Sequence, residues 1–293
     1  MPTAAQRSAG EERVFVSPFS PYKAVVDAQQ LVRVYADMGG TLEPLREYRC
    51  HAMPITAVAF SPVQYPPYML SAGVDARLCL FGLREKSAEP LFEFSEESGE
   101  FGCFTAAEFL NASRDVLKFV AGTSAGLALV FSSEKGFAEE RLLLGKGPVR
   151  VLAAGLGEVF VSVCEGETPK LFVEAASLSF IEFGEGVHES RRVSHACFPA
   201  VAEEDCSLLL TADEEGRVGL WKYCYEEKEV LPLGAFSLGA PPSALSWDLS
   251  GLSALILAAG GAGEPPACWR LARPLAEEEG AWALSAVSLR QSE

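Results

Sequence analysis

The segment Gly-Thr-Ser-Ala-Gly at 122–126 has the G-x-S-x-G pattern of a nucleophile elbow, in which Ser124 would be the attacking hydroxyl. Such an elbow requires a strand before the serine and a helix after it. The residues that follow, LALVFSS, are a short apolar run that ends in two serines, which predicts a strand. We therefore predict a tight turn at Ser124 and no catalytic residues.

Histidines and glycine-rich segments offer no clearer reactive site. His188 or His195 could serve as a base for Ser124, but His195 lies in the alternating segment RVSHACF, where a structural role is more common. The chain has three histidines and neither an HxH nor an HExxH motif, so no metal site is predicted. The segment GGAGEPP at 260–266 lacks a following GK[ST] and helix, so no phosphate-binding cofactor is predicted.

Eight cysteines and a net charge of −16 limit the compartment and the classes of partner that can be predicted for the chain. No two cysteines form a CxxC pair, which favours free thiols in a reducing compartment over zinc or disulfide sites. A nucleic-acid partner is not expected, because phosphate binding requires a basic face and the charge runs here are acidic. Those runs, at 203–205, 226–227 and 277–279, are interpreted as solvated loops, with a basic protein surface as the alternative.

Location and boundaries can be predicted from the ends and the apolar runs. The chain does not start with a charged and then apolar leader, and its longest apolar run, at 252–263, is too short and glycine-rich to cross a bilayer. We expect a protein that is not secreted and does not insert into the membrane. Residues 1–12 are predicted to be a disordered tail, and 13–293 a single domain.

A repeat of 42 to 50 residues organises the rest of the sequence. Six apolar runs end on an anchor residue, and the anchors are Tyr35, Phe81, Phe131, Val173, Trp221 and Trp269. Alternating segments such as ITAVAFSP and SALSWDLSG precede the anchors, with turn residues between the runs. The best helical candidate, 107–119, is interpreted as two strand ends and a corner. A period of this length with about four short strands per unit predicts an all-β propeller of about six four-stranded blades.

Two of the units carry a family resemblance. His51, Ser71, Asp75 and Phe81 resemble the His–Ser/Thr–Asp–Trp set of WD-repeat β-propellers, with phenylalanine in the tryptophan position. Thr211 and Trp221 match in the fifth unit, with Glu215 at the Asp position, and Trp269 anchors the sixth. The resemblance implies that Asp75 bonds His51 and His51 bonds Ser71 in a buried set that stabilises one blade. It implies no catalytic residues, metal or cofactor.

We expect both ends of the domain to complete their own blades. The first unit begins with RVFVSPF at 13–19 and the last ends with AWALSAVSLR at 281–290, without the crossover strand that usually closes such rings. Exposed sheet edges tend to be paired or covered. The sequence therefore predicts a partner-binding edge at Val14 and Val16 on one side, and at Trp282 and Leu284 on the other.

This organisation resembles the small scaffold propellers of the COPII coat and of the nuclear-pore Y complex. That resemblance implies a non-catalytic subunit of a larger assembly in vesicle or nucleocytoplasmic transport, located in the cytoplasm or at the nuclear envelope. It also implies a helical-solenoid protein partner that supplies a seventh blade. A ring that itself has seven blades is an alternative for the fold. A WD-repeat substrate adaptor for a ligase, chromatin or trafficking complex is the alternative for the function.

Overall fold

A computed structural model of the chain describes its secondary structure and packing. The described residues are 12–16, 20–61, 67–112, 116–155, 159–176, 178–183, 187–199, 205–247, 253–258, 267–272 and 282–287. The predicted tail at 1–12 therefore lies outside this set except for Glu12, and so does the glycine-rich segment at 260–266.

Short strands make up nearly all the described structure. Blade 1 comprises β1 (Arg13–Val16), β2 (Tyr22–Val26), β3 (Val32–Asp37) and β4 (Leu42–Tyr48). Blade 2 comprises β5 (Ile55–Phe60), β6 (Tyr68–Gly73), β7 (Arg77–Gly82) and β8 (Phe92–Ser95). Blade 3 comprises β9 (Phe104–Ala112), β10 (Leu117–Thr123), β11 (Leu127–Ser132) and β12 (Ala138–Leu143), with one 3₁₀ turn at Ser133–Lys135.

The second half repeats the same plan. Blade 4 comprises β13 (Val149–Gly155), β14 (Val159–Cys164), β15 (Lys170–Ala176) and β16 (Ser179–Phe183). Blade 5 comprises β17 (Val193–Cys197), β18 (Cys206–Asp213), β19 (Arg217–Cys224) and β20 (Glu229–Ser237). Blade 6 comprises β21 (Pro242–Trp247), β22 (Ser253–Ala258), β23 (Ala267–Ala272) and β24 (Ala283–Val287).

Each blade is an antiparallel sheet of four consecutive strands, and the first strand of each blade contacts the first strand of the next. The protein is thus a six-bladed β-propeller, which confirms the fold predicted from the repeat. The segment 107–119 contains the end of β9 and the start of β10, as its residue pattern predicted, and the predicted corner at 113–115 lies outside the described residues. Within the described chain, no helix is long and apolar enough to span a bilayer.

Alternating side chains bind the blades to one another. On β6, Met69 packs into a cluster shared with blade 1, whereas Leu70 and Ala72 pack into a cluster shared with blade 3. This two-sided burial is what a strand with apolar residues on both faces requires. Further clusters join blades 3 and 4, 4 and 5, and 5 and 6. Five blade-to-blade interfaces are therefore apolar and closed.

The sixth interface, between blade 6 and blade 1, differs. Among the described residues, no buried cluster joins these two blades, and no contact between β21 and β1 matches those between the other neighbouring inner strands. Phe15 is buried against blade 2, but its strand neighbours Val14 and Val16 are 56% and 50% exposed. Blade 1 is thus buried on the face towards blade 2, and its innermost strand is exposed at Val14 and Val16 on the opposite face.

Candidate functional site

A buried hydrogen-bonded set links the loop before blade 2 to the middle of that blade. The Nδ1 atom of His51 lies 2.9 Å from Oδ1 of Asp75, and Nε2 lies 2.9 Å from Oγ of Ser71. The other carboxylate oxygen of Asp75 accepts the backbone N–H of Ala52. The set predicted from His51, Ser71 and Asp75 is therefore assembled in the structure, with every buried polar atom of the imidazole engaged.

Gly73 makes room for this set. A Cβ at this position would lie 2.5 Å from Oδ1 of Asp75 and 2.6 Å from Nδ1 of His51, so any side chain would displace both groups. Phe81, the predicted anchor of the blade, is buried and packs against Tyr48 with ring centroids 4.6 Å apart. It has no N–H to offer Ser71, which leaves the serine oxygen open to another neighbour.

Blade 5 contains the second set. Here Nδ1 of His188 lies 2.8 Å from the hydroxyl oxygen of Thr211, and the indole N–H of Trp221 donates to the same oxygen at 2.9 Å. The other imidazole nitrogen of His188 lies 3.6 Å from Asp213, whose side chain is fully buried. Asp213 also accepts the backbone N–H of Arg217 and forms an ion pair with its guanidinium at 2.8 Å.

The carboxylate of the blade 5 set is Asp213, whereas counting back from the anchor pointed to Glu215. Glu215 is 55% exposed and pairs with Arg217 at the surface. In strand register Asp213 occupies the position that Gly73 takes in blade 2, because Val193 pairs with Asp213 as Ile55 pairs with Gly73. A carboxylate at the strand end thus replaces one in the turn. His188 was not expected in this set because nothing in its neighbouring residues marks it as the partner of Thr211.

The remaining described blades lack the hydroxyl on which these sets depend. The positions in register with Ser71 and Thr211 are Val25 in blade 1, Ala121 in blade 3, Val161 in blade 4 and Ala258 in blade 6. Trp269 of blade 6 accordingly has a buried indole N–H without a partner among the described residues.

Burial and charge set the protonation of the three histidines. Burial tends to lower the pKa of His51, but Cys50 and Asp75 outweigh it and raise that pKa above the ordinary value. Burial lowers the pKa of His188, against the opposing charge of Asp213. Burial also lowers the pKa of His195 to about 4; its Nδ1 lies 2.9 Å from Oγ of Ser194. His188 and His195 are therefore neutral structural groups at pH 7.

Ser124 lies in the turn between β10 and β11, as its sequence context predicted. Its hydroxyl oxygen accepts the backbone N–H of Cys103 at 3.0 Å, and the next regular element is strand β11 rather than a helix. Both histidines that could have served as a base are bonded within blade 5. The elbow geometry that would activate a serine is not formed here.

One group of metal-ligand type lies beside the first histidine set. The sulfur atoms of Cys50 and Cys79 and a nitrogen of His51 all lie within 4.8 Å of one another. Both nitrogens of His51 already face Asp75 and Ser71, so the imidazole cannot bind a metal without losing one of these bonds. The arrangement is therefore a pair of thiols next to an engaged imidazole.

The four residues predicted at a partner edge lie in different settings. Val14 and Val16 are exposed on the free face of blade 1. Trp282 packs in a T-shaped contact on Trp247, with centroids 5.9 Å apart, and belongs to the cluster between blades 5 and 6. Leu284 lies on β24, the outermost strand of blade 6, and pairs with Leu271 on β23. The structure thus places Trp282 between blades 5 and 6 rather than beside the two valines.

The free face of blade 1 continues outward from the valines. In register with Val14 and Val16 lie Val25 and Lys23 on β2, and then Arg33 and Tyr35 on β3, all half-buried. Lys23 pairs with Asp37 at 2.8 Å, and Arg33 pairs with Asp27 and Glu47 at 3.0 and 3.1 Å. The face is therefore apolar near the propeller axis and charged but internally paired towards the rim.

No protein-family model matches the chain, and no curated protein sequence matches it either. Its function must be argued from the fold, the two histidine sets and the free blade face.

Proposed function

We propose that this protein is a WD-repeat-type β-propeller that acts as a non-catalytic scaffold subunit, and that the free face of blade 1 receives an additional blade from a protein partner. The observation that carries the proposal is the exposure of Val14 and Val16, 56% and 50%, on the face of blade 1 opposite its apolar interface with blade 2, where the described residues form no sixth buried cluster. A closed ring of six blades would bury six interfaces between neighbouring blades.

The chemistry of the free face supports a packed protein segment as its occupant. Val14 and Val16 lie on β1, the innermost strand of blade 1. At the interfaces between the other blades, the innermost strands pack through apolar side chains. Burying a valine side chain stabilises an interface by about 1.5–3 kcal/mol, so a partner blade placed here gains from both residues. The paired charges of Lys23 and Arg33 farther out suit the polar rim of such an interface.

The two histidine sets support the WD-repeat assignment. Blade 5 has the full histidine, threonine, aspartate and tryptophan combination, and blade 2 has histidine, serine and aspartate with Phe81 as anchor. The resemblance to the scaffold propellers of the COPII coat and the nuclear-pore Y complex favours a helical-solenoid subunit as the partner. Such a subunit would place the protein in vesicle or nucleocytoplasmic transport, in the cytoplasm or at the nuclear envelope.

A matched pair of double variants tests the proposal. Val14→Glu/Val16→Glu places two carboxylates on the free face, and Leu42→Glu/Leu45→Glu places two on the outer strand of the same blade, where exposure is 48% and 45%. Each tagged chain is used to capture partners from a native extract, with quantitative mass spectrometry. We expect a solenoid protein bound by wild type to be lost from the valine variant and retained by the leucine variant, because only the former buries charge at the interface.

The melting temperature of the isolated variants distinguishes an open ring from a closed one. An accessible face tolerates the two glutamates, so the valine variant should melt within about 2 °C of the leucine variant. A drop of many degrees would mean that Val14 and Val16 are buried against blade 6 in solution. The additional-blade proposal would then be discarded in favour of a closed substrate adaptor.

A further inference from the structure

Two thiols of unequal accessibility lie at the connection between blades 1 and 2. Cys50 is half-buried in the link between β4 and β5, whereas Cys79 is fully buried in the middle of β7, in register with Ser71. Their sulfur atoms lie within 4.8 Å of each other. A disulfide needs the sulfurs to approach to about 2.05 Å, which requires movement of the link while the central strand stays in place.

A hydrogen-bonded chain leads from the accessible thiol to a buried acid. The sulfur of Cys50 lies 3.4 Å from Oγ of Ser71, which lies 2.9 Å from Nε2 of His51. The other imidazole nitrogen faces Asp75 at 2.9 Å. If Cys50 donates to Ser71 and Ser71 donates to His51, a concerted shift of two protons yields a thiolate and an imidazolium without breaking any contact.

The charges around the pair favour that ionised form. The hydrogen bond from Cys79, together with the charge of His51 and the Ser71 hydroxyl, lowers the pKa of the Cys50 thiol against the effect of burial. The same bond to Cys50, with burial, raises the pKa of Cys79, which stays protonated. The nearby Arg77 is itself paired with Glu93. Cys50 is therefore the nucleophile of the pair and Cys79 the proton donor.

We propose that Cys50 is a peroxide-reactive thiol, with Cys79 as its resolving partner and Ser71 and His51 as the proton relay. The thiolate of Cys50 attacks one oxygen of hydrogen peroxide, an S–O bond forms, and the O–O bond breaks. The departing hydroxide takes the proton held on His51 and leaves as water. The sulfur of Cys79 then attacks the sulfenic sulfur of Cys50, the S–S bond forms, and the hydroxyl leaves with the thiol proton as a second water. Two thiols are oxidised and one peroxide is reduced to two waters.

Other cysteines in the described chain provide internal controls. Burial raises the pKa of Cys164 to about 11 and that of Cys197 to about 12, so both are inert at neutral pH. Cys103 is half-buried like Cys50, but blade 3 contains no histidine to accept its proton. Cys103 is therefore the matched reference for accessibility without a relay.

The experiment measures oxidation of the full chain by a small excess of hydrogen peroxide, with thiol trapping and peptide mass spectrometry. We expect a Cys50–Cys79 disulfide, and in Cys79→Ala a sulfenic acid on Cys50 that dimedone labels. The rate of Cys50 oxidation should fall less than about threefold from pH 8 to pH 6, whereas oxidation of free cysteine added as a reference, with an ordinary thiol pKa of about 8.5, should slow about 70-fold through loss of its thiolate.

Variants of Ser71 distinguish a role in proton transfer from a role in stability alone. Ser71→Ala should slow Cys50 at pH 6 about tenfold or more, and Ser71→Thr should restore the rate, because blade 5 uses threonine at the same position. The wild-type pH profile needs no variant and stands even if Ser71→Ala unfolds. Equal pH dependence for Cys50 and the free-cysteine reference, or a disulfide joining Cys50 to a different cysteine, would overturn the proposal.

Discussion

At the scale of single residues, two blades solve one hydrogen-bonding problem differently. In blade 2 the absence of a side chain at Gly73 lets Asp75 reach back from the turn to His51. In blade 5 the residue at the Gly73 position is itself the acid, Asp213, and the turn residue Glu215 is released to solvent. Either arrangement places a carboxylate beside the second nitrogen of a buried imidazole, at hydrogen-bond distance of 2.9 Å in blade 2 and at 3.6 Å in blade 5.

This difference leads to a prediction for two aspartate-position variants. Asp75→Ala removes the acceptor for His51 and for the N–H of Ala52, and should lower the free energy of unfolding by about 1–3 kcal/mol. Glu215→Ala, the matched control at the same distance from its anchor, should change it by less than about 0.5 kcal/mol. Urea denaturation of both variants measures the difference. Equal losses would contradict the separate roles of the two carboxyl groups.

The sequence predicted the blade 2 set but only part of the blade 5 set, for a physical reason. His51, Ser71 and Asp75 lie at recognisable distances from an anchor, and the structure brings them together. The distance rule fails at Glu215 because it cannot distinguish a carboxylate in a turn from one at a strand end. His188 lies 23 residues before Thr211, and only the folded loop before β17 brings the two side chains together.

The buried, neutral His195 predicts a pH dependence of stability. Its pKa in the folded chain is about 4, whereas the ordinary histidine value in the unfolded chain is about 6.5. Below pH 6.5 His195 gains a proton in the unfolded chain but stays neutral in the folded chain until the pH approaches 4. The free energy of unfolding therefore falls as the pH drops towards 4 and levels off below it. The loss attributable to His195 is up to about 3 kcal/mol.

Replacing this histidine tests the assignment. The free energy of unfolding of His195→Gln, measured at several pH values from 7 to 4, should depend less steeply on pH than that of wild type. The difference between the two curves isolates His195 from the carboxylates, which both chains share. Parallel curves would mean that His195 titrates normally in the folded protein.

At the scale of elements, a buried ion pair joins strands of neighbouring blades. Lys118 on β10 lies 2.9 and 3.0 Å from the two carboxylate oxygens of Glu174 on β15, and both side chains are at most 6% exposed. Glu174 also accepts the N–H of Leu178. The pair holds blade 3 against blade 4 within an otherwise apolar cluster.

Removing one partner of this pair should be far more costly than removing both. Lys118→Met leaves a buried carboxylate and should lower the free energy of unfolding by about 3–5 kcal/mol. Lys118→Met/Glu174→Gln should recover at least half of that lost free energy of unfolding. The glutamine amide is uncharged, and its oxygen can still accept the N–H of Leu178. Chemical denaturation of the single and double variants measures both effects.

An exposed ion pair provides the control. Arg150 and Glu214 also join neighbouring blades, at 3.5 Å, but their side chains are 51% and 44% exposed. Arg150→Ala should therefore change stability by less than about 1 kcal/mol. A loss as large as that of Lys118→Met would mean that burial is not what makes the inner pair important.

Strands were easier to predict from sequence than the contacts between blades. Alternating apolar runs and turn residues located blades even where the anchor is Phe131 or Val173, because a strand buried on both faces leaves a local pattern. The Lys118–Glu174 pair spans 56 residues and leaves no such pattern. The exposure of a blade face also leaves no local sequence pattern, because it depends on how many blades the ring contains.

At the scale of the whole molecule, blade 1 differs from the other blades in its described packing. Its residues Ala24 and Val34 are as buried as Val120 and Val161, yet the described residues place blade 1 in one buried apolar cluster, which it shares with blade 2. Local opening requires less free energy where fewer apolar contacts are lost.

Hydrogen exchange of the isolated chain should reveal this asymmetry. Amides of β2 and β3 in blade 1 should exchange at least about tenfold faster than those of β10 and β14 in blades 3 and 4. The acidic surface loop at 226–229 serves as the fully exchanging reference, and Val14→Glu/Val16→Glu as the control for a perturbed face. Uniform protection across the four strands would argue that blade 1 is enclosed on both sides.

The consecutive strand order within every blade also has a consequence for synthesis of the protein. Because β1 to β4 come from one continuous stretch, the first sheet has all its strands once Tyr48 has left the ribosome. No strand must wait for the far end of the chain, as it would in a ring closed by exchange of terminal strands. Each later sheet can dock on the one made just before it, in the order of translation. Of the six described sheets, blade 6 is made after all the others, so its position beside blade 1 is reached only when the other five sheets have been synthesised.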